Sequence, residues 1–193
     1  MRFTETAEAR IGAALNGAAR VAAYFGGAIL LALAVMTVVS VVGRAFTFAG
    51  LRPIRGDFEL VEAGTAIAVF MFLPWCQMQR GHVTVDLLVR RMSPRLKAFW
   101  TVIGDAALAL ISGLILWRLY LGFGEKFPFF EQPMRDALAM GFKPFFPETS
   151  YELQFPVWVP FGFATIGALL FFATSLFSVW CSAKALIGRG GAR

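Results

Sequence analysis

The segment VAAYFGGAILLALAVMTVVSVV, residues 21–42, decides the fold class of this 193-residue chain. Together with Gly43 it makes a run of 23 residues without a charged side chain, bounded by Arg20 and Arg44. A helix of about 20 mainly apolar residues crosses the hydrocarbon core of a bilayer. We therefore predict that this segment is a transmembrane helix and that the chain is an integral membrane protein.

Three further uncharged runs extend this prediction to the rest of the chain, at residues 63–79, 106–117 and 153–183. Only the last is long enough to span by itself. The other two reach spanning length if Glu59, Glu62 or Asp105 is drawn into or near the membrane. We predict an all-α integral membrane protein with four transmembrane helices plus interfacial amphipathic helices. The predicted spans of this single membrane domain, 1–193, are about 21–43, 57–79, 94–120 and 155–181.

Two segments have the features of helices that lie in the interface. In residues 83–92 the apolar side chains recur at i, i+3, i+4 and i+7, and the charged ones take the other face. This segment is too short and too charged to span, so we predict an interfacial helix. Residues 3–18 are predicted to form a second short interfacial helix that leads into the first span.

The connection at residues 121–154 is rich in phenylalanine and proline. A short helix from Pro133 to Met140, closed by Gly141, is predicted within it. Exposed aromatic side chains are a liability in a free loop. We therefore expect this connection to lie on the bilayer surface or against a partner.

Local signals predict how two of the spans begin or pack. Asp57 is predicted to cap the second span, with Glu59 in its first turn, where the helix dipole favours an acid. In the fourth span the small residues Ala164, Gly167 and Ala168 predict a close helix crossing.

Composition argues against several function classes. The chain is 58% hydrophobic and 16% charged, whereas about a quarter of a soluble domain is charged. Its net charge of +6 comes from lysines and arginines in every connection and tail, a distribution that fits lipid headgroups better than nucleic acid. One histidine and two cysteines without metal-binding spacing predict no metal and no bis-histidine haem. No catalytic motif is present, so we expect neither an enzyme nor a cofactor.

The distribution of basic residues predicts the topology. The N-terminal tail, the 80–97 connection and the C-terminal tail together hold eleven lysines and arginines, against seven in 44–55 and 118–154. The positive-inside rule then places both termini in the cytoplasm. Cys76 and Cys181 would both lie near the cytoplasmic face, where thiols stay reduced.

Three acidic residues are candidates for membrane-embedded chemistry. Glu59 and Glu62 lie one helical turn apart, which fits either a cation or proton site or an acid pair at headgroup level. We favour the second interpretation, with an arginine such as Arg44 or Arg55 nearby. Asp105 lies within the third span, and we favour structural pairing with an arginine over a role in ion transport.

Four stretches carry a resemblance to a known family: GRAF at 43–46, FEL at 58–60, QRGHVTVD at 79–86 and QFPVWVPFGF at 154–163. Over roughly residues 20–180 the chain resembles the small permease subunit (DctQ type) of tripartite ATP-independent periplasmic (TRAP) transporters. The family-motif positions, expected to be structural or to face a partner, are Arg44, Glu59, His82 and Asp86.

The resemblance implies a non-catalytic, four-helix subunit in the bacterial inner membrane. Its partners would be a large permease subunit (DctM type), which carries the substrate and sodium sites, and a periplasmic substrate-binding protein. The assembly would import organic acids with the sodium gradient, and the small subunit would steady the static scaffold. The 121–154 connection is longer and more aromatic than is usual in this family. We hypothesise that residues 127–147 contact the large subunit or the docking binding protein.

Two other functions stay open at this point. The chain fits an accessory scaffold of an unrelated membrane complex, respiratory or photosynthetic. It also fits a homo-oligomeric channel, although no polar helical face favours one. Four spans without paired broken helices are few for a secondary transporter that works alone, which favours an accessory role.

Overall fold

The computed structural model describes the backbone of residues 2–80 and 94–190, and the side chains of residues 8–80 and 96–187. Within these ranges the chain forms five α-helices and no β-strand, apart from one isolated bridge between Thr149 and Pro156. The helices are α1 (Arg2–Ala45), α2 (Asp57–Met78), α3 (Pro94–Lys126), α4 (Gln132–Ala137) and α5 (Trp158–Gly190). A 3-10 turn at Thr47–Ala49 follows α1. The predicted interfacial helix 83–92, with His82 and Asp86, lies outside the described residues.

Four of these helices are long and apolar enough to cross a membrane. The candidate spans are Glu8–Ala45, Asp57–Met78, Leu96–Lys126 and Trp158–Ile187. Fewer than half of the residues in the apolar part of each span are buried within the chain, as expected for helices whose surroundings are lipid or a partner. The prediction of an all-α protein with four membrane-spanning helices is confirmed.

Helix α1 is one continuous helix of 44 residues and does not begin with a separate short helix at 3–18. The residues before the span include many alanines, which have the highest helix propensity, and no proline. Glu8, near the start, accepts hydrogen bonds from Lys184 and Cys181 of α5. These contacts attach the first turns to the helix bundle, so the chain has no break at which a separate interfacial helix would begin.

Two helix ends are set by local sequence. Helix α3 continues six residues beyond Tyr120 and stops at Lys126, because Phe127 precedes Pro128 and the residue before a proline avoids the helical region. Helix α4 ends at Ala137, before the predicted Met140. The chain reverses there through left-handed residues, with φ of 52° at Ala139 and 74° at Gly141.

The spanning helices are arranged as a row. Helix α1 packs on α2, α2 on α5 and α5 on α3, whereas α1 and α5 touch only slightly. Small side chains line the crossings: Ala68, Ala164 and Ala168 are all buried. A Cβ atom added to Gly167 would lie 2.6 Å from the carbonyl oxygen of Phe70, so α2 and α5 approach almost backbone to backbone. The predicted close crossing in the fourth span is confirmed.

Candidate functional site

Polar contacts between the helices lie near the two ends of the helices, which we call the loop end and the tail end. At the loop end, where α2 and α5 begin, they involve Asp57 and Glu59. At the tail end, where α1 begins and α5 finishes, they involve Arg80 and Asp105. The 22 residues of α2 between these levels span about 33 Å, close to the thickness of a bilayer core. The separation of the two polar ends therefore matches the thickness of a membrane core.

At the loop end, Asp57 joins α1 to α2. Its Oδ2 atom accepts a hydrogen bond of 2.5 Å from the Ser40 hydroxyl and forms an ion pair of 3.0 Å with Arg44 Nη2. Its Oδ1 atom accepts from the backbone N–H of Phe58 at 3.0 Å. The prediction that Asp57 caps α2 is wrong, because Gly56 holds the N-cap position with a φ of 69°. Asp57 is instead the first helical residue, and this frees its carboxylate to reach α1.

Glu59 joins α2 to the segment that precedes α5. Its two carboxylate oxygens accept from the backbone N–H groups of Glu152 at 2.8 Å and Leu153 at 3.1 Å. In return, the Glu152 carboxylate accepts from the backbone N–H of Gly56 at 2.6 Å. These reciprocal contacts of Gly56, Glu59, Glu152 and Leu153, the carboxylate latch, fix the 148–156 turn against the start of α2.

The latch changes how the acidic pair of α2 is understood. Glu59 binds backbone N–H groups, whereas Arg44 pairs with Asp57. An arginine was expected nearby, and Arg44 does lie at the start of α2, where it pairs with Asp57 and not with Glu59. Glu62 is exposed, and no hydrogen bond or ion pair to it exists among the described side chains. Glu62 therefore takes no part in the contacts that hold Glu59.

At the tail end, Asp105 connects three elements. Its carboxylate accepts a hydrogen bond from the hydroxyl of Ser182 on α5 and lies 3.7 Å from Arg80 Nη2, just beyond α2. Arg80 also donates to the Ser182 hydroxyl at 3.0 Å. Asp105 is only 9% exposed, and this environment satisfies it with a charge and a hydroxyl. The arrangement is the arginine pairing that the sequence favoured.

The connection between α3 and α5 is organised by Arg135, which the sequence did not single out. Its side chain is fully buried, and its guanidinium donates to six backbone carbonyls at 2.5–3.3 Å. The acceptors are Gly124, Phe127, Phe129, Met140, Gly141 and Phe142. Because all of them belong to the backbone, no acidic residue in the sequence could have indicated this role.

The aromatic residues of the connection fall into two groups. Phe127 packs at 5.0–5.3 Å, between ring centroids, from Phe123, Phe129, Phe130 and Trp158. This packed group joins the end of α3 to the start of α5. A second group is exposed, with 87% of Phe142, 90% of Phe145 and 74% of Phe146 accessible. The connection is therefore a folded structure that also presents exposed aromatic side chains.

Between the loop end and the tail end, the residues at the helix crossings are small and uncharged. The hydroxyls of Ser112, Thr174 and Ser178 donate to carbonyls of their own helices. The buried Gln77 Oε1 and Ser175 Oγ atoms have no hydrogen-bond partner among the described groups. The described residues thus provide no chain of ionisable groups across the membrane, whereas such a chain is typical of proton and ion pathways.

Comparison with protein families gives one match. Residues 33–185 match the family model described as the DctQ component of tripartite ATP-independent periplasmic transporters. The match covers most of the chain, including both polar ends, the latch and the connection that Arg135 organises. No curated protein and no solved structure showed a significant match.

Proposed function

The chain belongs to the DctQ component family of TRAP transporters, and on that premise we propose its role in detail. It serves as the small membrane subunit of a sodium-coupled, binding-protein-dependent importer of organic acids. It is not catalytic and does not itself form the transport pathway. Its task is to support the scaffold of the large permease subunit.

The family match over residues 33–185 is the observation that carries this proposal. The distribution of charged residues favours a scaffolding role for the chain within the transporter. The runs 21–43, 63–79, 106–117 and 153–183 contain no charged residue, and the polar contacts between helices gather at the two ends. Transport sites of secondary transporters lie near the midplane and use broken helices. A row of unbroken helices with polar contacts at the loop end and the tail end is better suited to hold a neighbouring subunit in place than to move a substrate.

We place the subunit in the bacterial inner membrane with both termini in the cytoplasm. The loop end then faces the periplasm, where the substrate-binding protein would dock, and the large DctM-type subunit would pack along the row. Arg44 and Glu59 would serve as structural ties at the periplasmic boundary. For His82 and Asp86 we propose structural or partner-facing roles on the cytoplasmic side.

Reconstituted transport tests this role. The large permease subunit is placed in proteoliposomes with and without this chain, and uptake of a labelled organic acid is measured with binding protein and an inward sodium gradient. We expect uptake only when the chain, the binding protein and the gradient are all present. Equal uptake by vesicles that lack the chain would refute the supporting role, and uptake without sodium would refute the coupling.

A further inference from the structure

We propose that the segment of residues 131–147, the fold-back segment, rests in the lipid headgroup layer at the loop end and attaches the subunit to that leaflet. The occupant of its exposed aromatic surface is thus lipid. This inference requires only that the chain spans a membrane. Its failure would leave the assignment to a transporter untouched.

The depth of the fold-back segment follows from its contacts with α3. After leaving α3 the chain turns back along it, so that the Tyr120 hydroxyl donates to the Leu138 carbonyl at 2.5 Å. Gly124 lies against the backbone of Met140, where an added Cβ would come within 2.7 Å of the carbonyl oxygen. Tyr120 precedes the end of α3 at Lys126 by six residues, or about 9 Å along the helix. Residues 138–140 of the fold-back segment therefore lie beside the membrane-spanning part of α3 and do not extend away from it.

A second feature of the fold-back segment is its polarity. The apolar side chains of Met134, Leu138 and Phe142 are all exposed. The polar side chains instead pair with one another: Gln132 donates to Asp136 at 2.6 Å, and Lys143 lies 3.6 Å from Glu131. Exposed apolar side chains together with polar side chains that pair with one another fit a segment in the membrane interface.

Exposed apolar side chains of α3 lead towards the fold-back segment. On α3 the exposed side chains of Leu110, Leu114 and Trp117 follow at i, i+4 and i+7 and so form one stripe. The stripe leads to Tyr120, which hydrogen-bonds to the fold-back segment. Aromatic side chains are enriched at headgroup level, and tryptophan and tyrosine most of all. The apolar surface of the segment therefore extends the apolar surface of the helix up to the membrane boundary.

The fold-back segment is also held rigidly. Six backbone hydrogen bonds to Arg135 hold the segment in one shape. Its aromatic side chains are therefore presented without a further ordering cost when they enter the interface. The nearby Tyr151, 96% exposed, belongs instead to the turn that the carboxylate latch holds. Tyr151 is a matched control, because it is an exposed aromatic residue at the same end of the molecule but outside the fold-back segment.

Quenching of a fluorescent label tests the proposal. Phe142→Cys and Tyr151→Cys are each made in full-length protein whose Cys76 and Cys181 are replaced by alanine, and each is labelled with an environment-sensitive fluorophore. The proteins are reconstituted in vesicles of phosphatidylethanolamine and phosphatidylglycerol, alone and with the large subunit. Quenching by lipids brominated near the headgroup is compared with quenching by aqueous iodide.

We expect the ratio of lipid quenching to iodide quenching to be several-fold higher at position 142 than at position 151, with or without the large subunit. Strong iodide quenching with little lipid quenching at position 142 would overturn the proposal, since the surface would then face water. Loss of both kinds of quenching at position 142 only when the large subunit is present would also overturn it. That result would show that a protein partner covers the surface, as the sequence-based hypothesis for residues 127–147 has it.

Discussion

Replacing Arg135 by methionine should loosen the connection between α3 and α5 while the spanning helices stay intact. Methionine keeps most of the aliphatic volume of arginine but cannot donate a hydrogen bond. The substitution therefore removes the donor of six carbonyl contacts and leaves the surrounding packing nearly unchanged. No other described side chain occupies this position as a replacement donor.

The magnitude follows from which carbonyl contacts are buried. Water can reach most of the six acceptors, but the contacts to the carbonyls of Gly124 and Met140 are buried. A buried acceptor without a partner costs about 1–3 kcal/mol, so two cost about 2–6 kcal/mol. The variant also avoids the desolvation of a guanidinium, which places the net loss near the lower limit, about 2 kcal/mol. That loss raises the local opening equilibrium roughly 30-fold.

Hydrogen exchange measured by mass spectrometry in nanodiscs is the suitable assay. The amides of Leu138 and Met140, which bond to the carbonyls of Met134 and Arg135, should exchange roughly 30-fold faster in the variant. The amide of Leu60 near the start of α2 should be unaffected.

Two further variants make this assay specific. Arg118→Met removes an exposed arginine from α3, eight residues before its end, and should leave exchange in the connection unchanged. Arg135→Lys retains three donors and should give an intermediate effect. If Arg135→Met exchanged at wild-type rates throughout residues 124–142, the assignment of Arg135 as the organising residue would be refuted.

The remaining predictions concern the helix crossing and the two polar ends. Gly167→Ala should destabilise the protein by about 1–3 kcal/mol in a detergent unfolding titration because its Cβ would overlap the backbone of α2. The control is Gly104→Ala, because a Cβ at that position meets open space. Equal stability of the two variants would contradict the close crossing. Asp105→Ala should cost about 1–3 kcal/mol in the same titration because it leaves the Ser182 hydroxyl without its buried acceptor, whereas Glu62→Ala should have little effect; the reverse order would contradict the pairing. Glu59→Gln has a single acceptor oxygen, and its NH2 group cannot accept from the second backbone N–H. Limited proteolysis within 148–156 should therefore become faster, and unchanged cleavage would argue against the latch.

The spanning helices were predictable because charge and apolar length are properties of the sequence itself. A run of apolar residues as long as 21–43 is expected to lie in a membrane and not in water, so its location follows from composition. The close crossing at Gly167 was predictable for a related reason. In lipid, small residues are the ones that allow helices to approach closely.

The partners of the polar residues were not predictable in the same way. Glu59 binds backbone N–H groups more than ninety positions away, and every residue except proline offers such a group. Arg135 binds only carbonyls for the same reason. Asp105 was expected to pair with an arginine, but only the packing of both α2 and α3 on α5 shows that this arginine is Arg80. Sequence indicates which polar groups need a partner at the membrane boundary, and tertiary structure decides which one they find.

Purification of the tagged native protein in mild detergent, followed by mass spectrometry of the bound proteins, tests the central claim most directly. The proposed function predicts a large permease with many transmembrane segments, recovered at nearly equal stoichiometry. Recovery of the chain alone, or together with a respiratory or photosynthetic complex, would contradict the assignment as the small subunit of a transporter.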